Sequence, residues 1–502
     1  MNTLRSNVLS NFASKAVQAL GMLLFTPMYL RILGLEAVGL IGLWTTVRSF
    51  LTLLDFGMST TLNREIAAAR ASEAEGGGHW NSVRTLEAIS WSIALAAGLL
   101  FAILAPWTAH NWLQLTTTRP QSAIVALIFL GCAASFQLPT ILYQGGLTGM
   151  ERQVSMNGVI VVCSLARDVG SIVVLHLFPP TVVTFFFWQA LISAAQCLAQ
   201  RFMLTRALPT PAVKPRVDFS LISGFGGFMA GTGLISVTIM FVGLSDRIVL
   251  TKMVPMALFG VYSLAQTAAG SILILVSPLT TAAFPRFVAL LVNEHSDRLE
   301  GLYHEFSQLV AVAIYPLASI LVAFSGPALF AWTGRADYAS EGHVVLSLVA
   351  LATGLNSLLY LPLQLQLAAR WTNLTLLTNA ISAVLYVPIL VLLTKRYGIV
   401  GAGIGLVLLM VGQLAIVPVV MHRRLLKGAR TRWYLRDVLV PLLPSLSVGI
   451  LSTFVFQVPS SRMGIVGTLF LLWILLIGAT LACAPLALRR VRSIVQRSGY
   501  GV

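Results

Sequence analysis

Charged residues are scarce in this sequence, and long hydrophilic segments are missing. Asp, Glu, Lys and Arg make up 10% of the 502 residues, whereas 57% are hydrophobic and the mean hydropathy is +0.86. A soluble protein of this length needs more polar surface than that to face water. The polar segments that connect the apolar runs never exceed about 20 residues, so each connection is no longer than a single membrane span. They leave no room for a soluble catalytic domain, so the composition predicts a polytopic membrane protein.

Cysteine pairs and metal-binding patterns are also missing. Cys132, Cys163, Cys197 and Cys483 all lie in apolar runs, and none forms a CxxC motif or a Cys/His spacing that could hold a metal. None of the seven His residues pairs with a Ser, a Cys or a carboxylate in a way that suggests catalysis. We therefore expect no cofactor, no bound metal and no enzyme activity.

The chain does contain a series of apolar runs, each long enough to cross the roughly 30 Å hydrocarbon core of a bilayer. They predict an all-α polytopic protein with about 14 transmembrane helices, and an even number places both termini in the cytoplasm. Most Lys and Arg residues fall in the loops assigned to the cytoplasmic side, as the positive-inside rule requires. The three densest basic clusters are Arg201 to Arg216, Arg423 to Arg436 and Arg489 to Arg497.

The formal net charge of +16 would suggest nucleic-acid binding in a soluble chain. In a membrane protein, topogenic charge and attraction to anionic lipid are sufficient to explain these clusters. We therefore expect membrane lipids as partners and no nucleic acid.

An internal repeat relates the two halves of the chain. A shift of 221 residues places Arg31 on Lys252, Gly39 on Gly260 and Thr60 on Thr281. The shift spans six predicted helices, so both copies enter the membrane from the same side and their pseudo-two-fold axis runs along the membrane normal. The pattern predicts two six-helix bundles, residues 1–210 and 211–430, facing each other across a cavity. Residues 431–502 would form helices 13 and 14 with a basic cytoplasmic tail.

The second predicted helix, Ala37 to Asn63, carries polar residues on one face of an otherwise apolar rod. An arginine near the middle of a span, such as Arg48, costs about 2.5 to 3.5 kcal/mol on insertion scales unless it faces water, protein or an anion. We expect it to face a cavity that receives an anion. The stripe consists of Thr45, Arg48, Thr52, Asp55, Ser59 and Asn63.

Other charges within predicted spans are Lys15 in the first helix, Arg167 and Asp168 in the fifth, and Arg247 near the start of the second half. The predicted spans of the first half contain three basic residues (Lys15, Arg48 and Arg167) and two acidic residues (Asp55 and Asp168). At least one positive charge therefore needs an external anion. Structural Arg48–Asp55 and Arg167–Asp168 pairs are the alternative, although adjacent helical side chains diverge by about 100 degrees.

Amides and hydroxyls on other spans could line the cavity and suit sugars. Hydrogen bonds between helices explain the same residues equally well. The candidates kept as substrate-binding residues are Gln18, Gln144, Tyr262, Gln266, Asn356 and Gln364.

Four segments together resemble the Wzx-type polysaccharide flippases of the multidrug/oligosaccharidyl-lipid/polysaccharide exporter superfamily. They are FASKAVQALGMLLFTPMYLRILG, VGLIGLWTTVRSFLTLLDFGMSTTLNREIA, YQGGLTGMERQ and SDRIVLTKMVPMALFGVYSLAQ. The resemblance implies a multi-pass protein of the bacterial inner membrane in O-antigen or exopolysaccharide synthesis. Such a protein moves undecaprenyl-pyrophosphate-linked oligosaccharide to the periplasmic leaflet by alternating access, driven by a gradient of H⁺ or Na⁺.

The resemblance also implies roles for individual residues. The LLDFGMS segment matches best and carries over Asp55 and Arg64, and Lys15, Arg48 and Arg247 are carried over as cavity cations. We expect Asp55 and Asp168 to couple the cycle to the ion, Arg64 to mark a cytoplasmic gate, and Arg167 to join the substrate-binding cations.

The chain is expected to be a monomer, with a polysaccharide polymerase and a chain-length regulator as candidate partners. A multidrug/cation antiporter of the same superfamily and a membrane polysaccharide polymerase or ligase remain alternative functions.

Overall fold

The computed structural model describes residues 2–71, 78–209, 215–218, 220, 242–292, 296–369, 371, 373–455, 459 and 461–499. Within these ranges the regular structure is helical, and an isolated bridge between Gln114 and Pro255 is the one β-type pairing. A helix satisfies its backbone groups within its own segment, which hydrocarbon requires. The predicted all-α membrane fold class is confirmed.

The chain forms two compact units, Met1–Gly260 and Val261–Val502. The predicted domain limits at residues 210 and 430 remain predictions. The first unit contains α1 (Asn2–Leu33), α2 (Leu35–Leu53), α3 (Met58–Ala71), α4 (Gly78–Trp107), a π-helical turn (Thr108–Trp112), α5 (Pro120–Ser135), α6 (Gln137–Gly149), α7 (Gln153–Leu177), α8 (Val182–Ala207) and α9 (242–253).

The next helix, α10 (Met256–Val292), begins in the first unit and continues into the second. The second unit then contains α11 (Ser296–Ala323), α12 (Ser325–Thr333), α13 (Ala336–Ala368), α14 (Asn373–Leu425), α15 (Ala429–Arg432), a π-helical turn (Trp433–Leu439), α16 (Val440–Val455), α17 (Arg462–Ala482) and α18 (Pro485–Gly499).

Ten helical segments of the described ranges are long and apolar enough to cross a membrane. One of them, α14, bends at Gly398, whose φ of 57° is a left-handed conformation that glycine tolerates. This helix covers two of the apolar runs that predict spans, Asn373 to Thr394 and Ile399 to His422. The apolar run Phe219 to Val242 also predicts a span, and apart from Ser220 and Val242 it lies outside the described residues. The total of 14 spans therefore remains a prediction.

The second predicted span is not one continuous helix, and that expectation is wrong. Helix α2 ends at Leu53 and α3 begins at Met58. The Asp55 carboxylate accepts hydrogen bonds from the Ser59 backbone N–H at 3.1 Å and the Ser59 hydroxyl at 2.7 Å, which is how a capping residue starts a new helix. Between them, Phe56 and Gly57 have φ angles of 43° and 80°. The polar stripe is thus broken between Thr52 and Asp55.

Where α2 crosses the start of α10, two glycines allow the backbones to touch. A Cβ atom on Gly39 would lie 2.3 Å from the Met256 carbonyl oxygen, and one on Gly260 would lie 2.3 Å from the Leu35 carbonyl oxygen. Both pairs of equivalent residues, Leu35 with Met256 and Gly39 with Gly260, are separated by 221 residues (256 − 35 and 260 − 39). The contact therefore joins residues that the 221-residue shift of the sequence makes equivalent.

The helices around the candidate site rest on one apolar core of the first unit. Its buried residues come from α3, α4, α6, α7 and α8 together with the residue that follows α8, and dense packing of this kind holds neighbouring side chains in fixed rotamers. They are Met58, Leu62, Ile66, Trp80, Val83, Leu86, Leu142, Tyr143, Leu147, Met156, Cys197, Leu204 and Leu208.

Candidate functional site

Three partly buried arginines gather around the polar face of α2. The first, Arg48, lies in the last two turns of that helix, and its Nε–H donates to the Gln137 side-chain oxygen at 3.1 Å. Gln137 opens α6 directly after the break at Phe136 that separates α5 from α6. The helix break therefore places an amide oxygen where the guanidinium needs an acceptor.

Arg167 reaches the same region from α7. Its Nη2 donates to the side-chain oxygen of Gln196 on α8 at 3.0 Å. The guanidinium groups of Arg48 and Arg167 lie close enough for their positive charges to repel each other. Two like charges held together inside a helical membrane protein are unfavourable until an anion joins them.

The third cation, Arg247, comes from α9. Its Nη1 donates to the Thr45 hydroxyl at 3.2 Å. Thr45 and Arg48 are three residues apart on α2, and residues at that spacing are neighbours on a helix surface. In the first unit, α2 and α7 thus bring Arg48 and Arg167 close to each other, and α9 places Arg247 against Thr45, one turn from Arg48 on α2.

None of these three arginines forms an ion pair with a carboxylate among the residues that the structure describes. The alternative Arg48–Asp55 pair is not formed, since Asp55 caps α3 instead. Arg167 feels the charge of Asp168, but the Asp168 side chain accepts a hydrogen bond from the Tyr29 hydroxyl at 3.4 Å. The observed partners of the three guanidinium groups are two amides and one hydroxyl, all neutral.

A guanidinium with a neutral partner keeps its full positive charge. A guanidinium has five N–H donors, and each of these arginines makes one hydrogen bond within the described part of the chain. The planar arrangement of these donors matches the oxygens of a phosphate, and such bonds are strong where water is excluded. The cluster has the chemistry of a phosphate or pyrophosphate site.

The predicted cation Lys15 is exposed on α1 and does not join this cluster in the described contacts. The face of α1 next to it packs against α7, because Asn157 donates to the Asn11 side chain at 2.6 Å and accepts from the Ser14 hydroxyl at 2.9 Å. Gln18 donates to the backbone oxygen of Ser14 within its own helix. This part of the predicted lining joins two helices.

The remaining predicted residues lie as follows. Gln144 is partly buried on α6, and Arg64 is exposed on α3. In the second unit, the buried Tyr262 hydroxyl accepts from the Gln266 amide at 2.9 Å, and Asn356 and Gln364 are partly buried on α13. The roles predicted for these residues, and for Asp55 and Asp168 in ion coupling, stay predictions.

A row of buried polar side chains on α8 was not predicted from the sequence. The helix buries one polar side chain on each successive turn, and one of them, Gln196, accepts a hydrogen bond from Arg167. Its spacing of four, three and four residues within an apolar helix is a signal that the sequence does contain. The row consists of Gln189, Ser193, Gln196 and Gln200.

A second polar group lies in the second unit, where the sequence suggested no partner for any histidine. The fully buried side chains of His304 and Asp437 are hydrogen-bonded to each other, and Gln308 donates to Asp437 at 2.9 Å. His304 and Asp437 are 133 residues apart, so no local motif announces them. No carbonyl or phosphate could reach this buried pair from solvent, which marks it as structural.

A model of a family described as polysaccharide biosynthesis protein matches residues 4–291 of the chain. No curated protein matches the chain significantly.

Among solved structures, the lipid II flippase MurJ in its inward closed conformation has a TM-score of 0.67 and 11% identity, covering 94% of this chain and 97% of its own. An inward-facing multidrug resistance transporter of the MATE family, within the MOP superfamily, has a TM-score of 0.65 and 12% identity, covering 84% of this chain and 94% of its own. The MATE multidrug transporter DinF-BH has a TM-score of 0.59 and 13% identity, covering 84% and 95%. At these identities the likeness shows a shared fold.

Proposed function

The chain belongs to the polysaccharide biosynthesis protein family, and on that premise we propose that it is a flippase for undecaprenyl-pyrophosphate-linked oligosaccharide. This membership, together with the shared fold, confirms the resemblance to the multidrug/oligosaccharidyl-lipid/polysaccharide exporter superfamily. In the proposed function the protein moves its substrate from the cytoplasmic to the periplasmic leaflet of the bacterial inner membrane by alternating access. A flux of H⁺ or Na⁺ drives the cycle.

The observation that carries this proposal is the cluster of Arg48, Arg167 and Arg247 with neutral hydrogen-bond partners. A pyrophosphate loses much of its hydration when it crosses a low-dielectric interior, and fixed guanidinium groups replace part of that hydration. The converse also holds, because buried arginines that repel each other are stabilised by a divalent anion. The guanidinium groups therefore compensate the pyrophosphate for lost hydration, and the pyrophosphate neutralises the repulsion between the arginines.

The same cluster argues against the antiporter for cationic drugs. A site for an organic cation needs acidic or aromatic walls, which attract positive charge. Three arginines around α2 repel such a ligand. The shared fold of the drug transporters does not change this, since one fold carries sites of different chemistry.

The proposal is tested in proteoliposomes that contain a fluorescent polyprenyl-pyrophosphate oligosaccharide, with an impermeant reagent that destroys the label in the outer leaflet. We expect Arg48→Gln to slow the transfer of label about tenfold or more, since it removes a charge that the substrate meets during transfer. Arg335→Gln is the matched control, because Arg335 is exposed and paired with Asp337 at 2.7 Å. Its rate should stay within about twofold of the wild type.

Unchanged transfer by folded Arg48→Gln protein would contradict the role of the cluster. Transfer of the same lipid carrying a neutral linkage, at the same rate as the pyrophosphate, would contradict the substrate class. Extension of the glycan by the purified protein would instead favour a polymerase.

A further inference from the structure

The row of polar side chains on α8 is buried along its whole length. Gln189, Ser193, Gln196 and Gln200 are 3%, 8%, 7% and 0% exposed. They lie on one face of the helix, which is turned toward the interior of the first unit. A buried polar side chain needs a hydrogen-bond partner for each donor and acceptor, because burial removes its water.

Two members of the row find their partners on α7. The Gln189 amide donates to the Ser171 hydroxyl at 3.1 Å, and the Gln196 oxygen accepts from Arg167 at 3.0 Å. These bonds fix α7 against α8. They satisfy the Gln189 amide nitrogen and the Gln196 side-chain oxygen.

The end of the row at Gln200 is different. Neither the amide nitrogen nor the amide oxygen of this fully buried side chain has a hydrogen-bond partner among the described residues. The Nε–H of Arg167 is likewise buried and without a partner there. Gln196, which binds Arg167, precedes Gln200 by one helical turn, a rise of about 6 Å. The unpartnered Gln200 amide therefore lies on the same face of α8 as the Gln196 oxygen that holds Arg167, about one helical turn along that face.

The missing partner must both donate and accept hydrogen bonds, and it must be small enough to lie inside the packed unit. An amide offers two donors and one acceptor, and the Arg167 Nε–H offers one more donor. Water meets all of these requirements, and buried water commonly satisfies polar groups that the protein leaves without a partner.

We propose that an internal water site lies beside α8 between the Arg167 Nε–H and the Gln200 amide. The water hydrates the Arg167 guanidinium at Nε, whereas Gln196 binds the same group at Nη2, so that the charge of Arg167 is tolerated at membrane depth. Arg167 then contributes charge to the cluster as a hydrated group.

Radiolytic footprinting tests the proposal in the purified full-length protein. X-ray pulses convert bound water to hydroxyl radicals, which oxidise the nearest sulfur atoms. Cys197 is fully buried one turn before Gln200, and Met256 is fully buried against Gly39 in a glycine crossing. We expect Cys197 to be oxidised several-fold faster than Met256, although a bulky thiol reagent does not reach it. Equal, slow oxidation of the two residues would overturn the proposal.

A Gln200→Leu variant gives a second readout. It removes the amide while keeping a side chain of similar size, so Cys197 oxidation should fall to the rate of Met256. The unfolding temperature should not rise, because the wild-type amide is already satisfied by water. A higher unfolding temperature would mean that the wild-type amide lies in a dry site, and would overturn the proposal even if transport were unaffected.

Discussion

Two groups of buried or partly buried charged side chains, one in each compact unit, have different partners. In the first unit, Arg48 and Arg167 donate to the neutral amides of Gln137 and Gln196. In the second unit, Asp437 bonds to a histidine and to a glutamine and is fully enclosed. The difference separates guanidinium groups that are held by neutral amides, which we propose for anion binding, from a carboxylate whose hydrogen bonds connect helices.

The network of the second unit is closed by further bonds. Trp433 donates to the Ser307 hydroxyl at 3.1 Å, the Tyr315 hydroxyl donates to the Val438 backbone oxygen at 3.0 Å, and the Leu486 backbone N–H donates to the Gln308 oxygen at 2.9 Å. These bonds tie the turn Trp433–Leu439 and the start of α18 to α11. A network in which most members are satisfied makes the helices rigid, and it offers little to a substrate.

The largest effect should come from opening that network. Asp437→Ala leaves His304 and Gln308 without their buried acceptor, and breaking a buried pair in this way costs about 3 to 5 kcal/mol. The unfolding temperature in detergent and the yield of folded protein should both fall sharply. His343→Ala, which changes an exposed histidine, is the control and should behave as wild type. An Asp437→Ala protein of normal stability would mean that the second unit does not depend on its closed network.

A smaller effect is expected at Glu36, a carboxylate of the first unit whose hydrogen bonds come from the neutral donors of Thr116, Thr117 and Thr118. Burial raises its pKa, but hydrogen bonds from Thr117, Thr116 and Thr118 outweigh this and hold the pKa below the ordinary value. Because the folded pKa is depressed, the stabilisation is complete above the ordinary value of about 4.3 and is lost as the pH falls through the lower folded value.

Glu36→Gln should therefore destabilise the protein by about 1.5 to 3 kcal/mol at pH 7. The difference from the wild type should shrink as the pH falls below about 4.3, which unfolding temperatures measured from pH 7 to pH 3.5 would show. A difference in unfolding temperature that stays constant over this pH range would mean that the shape of the glutamine side chain, and not the lost charge, causes the destabilisation. The predicted result would sharpen the comparison of the two groups, since it would show that neutral hydrogen-bond donors can also stabilise a buried carboxylate with a structural role.

The smallest change in stability should come from the arginine cluster. Arg48→Gln relieves the repulsion from Arg167, so the unfolding temperature should stay the same or rise by the equivalent of about 1 kcal/mol, as functional sites often trade stability for activity. The same variant should transfer the fluorescent lipid about tenfold or more slowly than the wild type, as proposed above. A fall in stability comparable to that of Asp437→Ala would break the comparison, because it would make Arg48 a structural residue.

Much of this arrangement could be anticipated from local sequence. The apolar runs predict membrane helices, and Arg48 and Arg167 stand out as costly charges. The 221-residue shift pairs Gly39 with Gly260 as equivalent positions, but it did not predict that the two residues touch. The break after α2 was not anticipated, because Asp55 fits the helical polar stripe as well as it fits a cap. The resemblance pointed to Asp55 without indicating its hydrogen bond to Ser59.

The sequence alone determined which family this chain resembles. It also determined that the chain is a membrane protein and that Arg48 and Arg167 are costly charges, because transfer free energies add residue by residue along the chain. Only the tertiary structure decided what each buried charge binds. Gln137 lies 89 residues from Arg48, and Asp437 lies 133 residues from His304. Such partners are chosen by the packing of helices remote in sequence, and neither periodicity nor composition records which helix faces will meet.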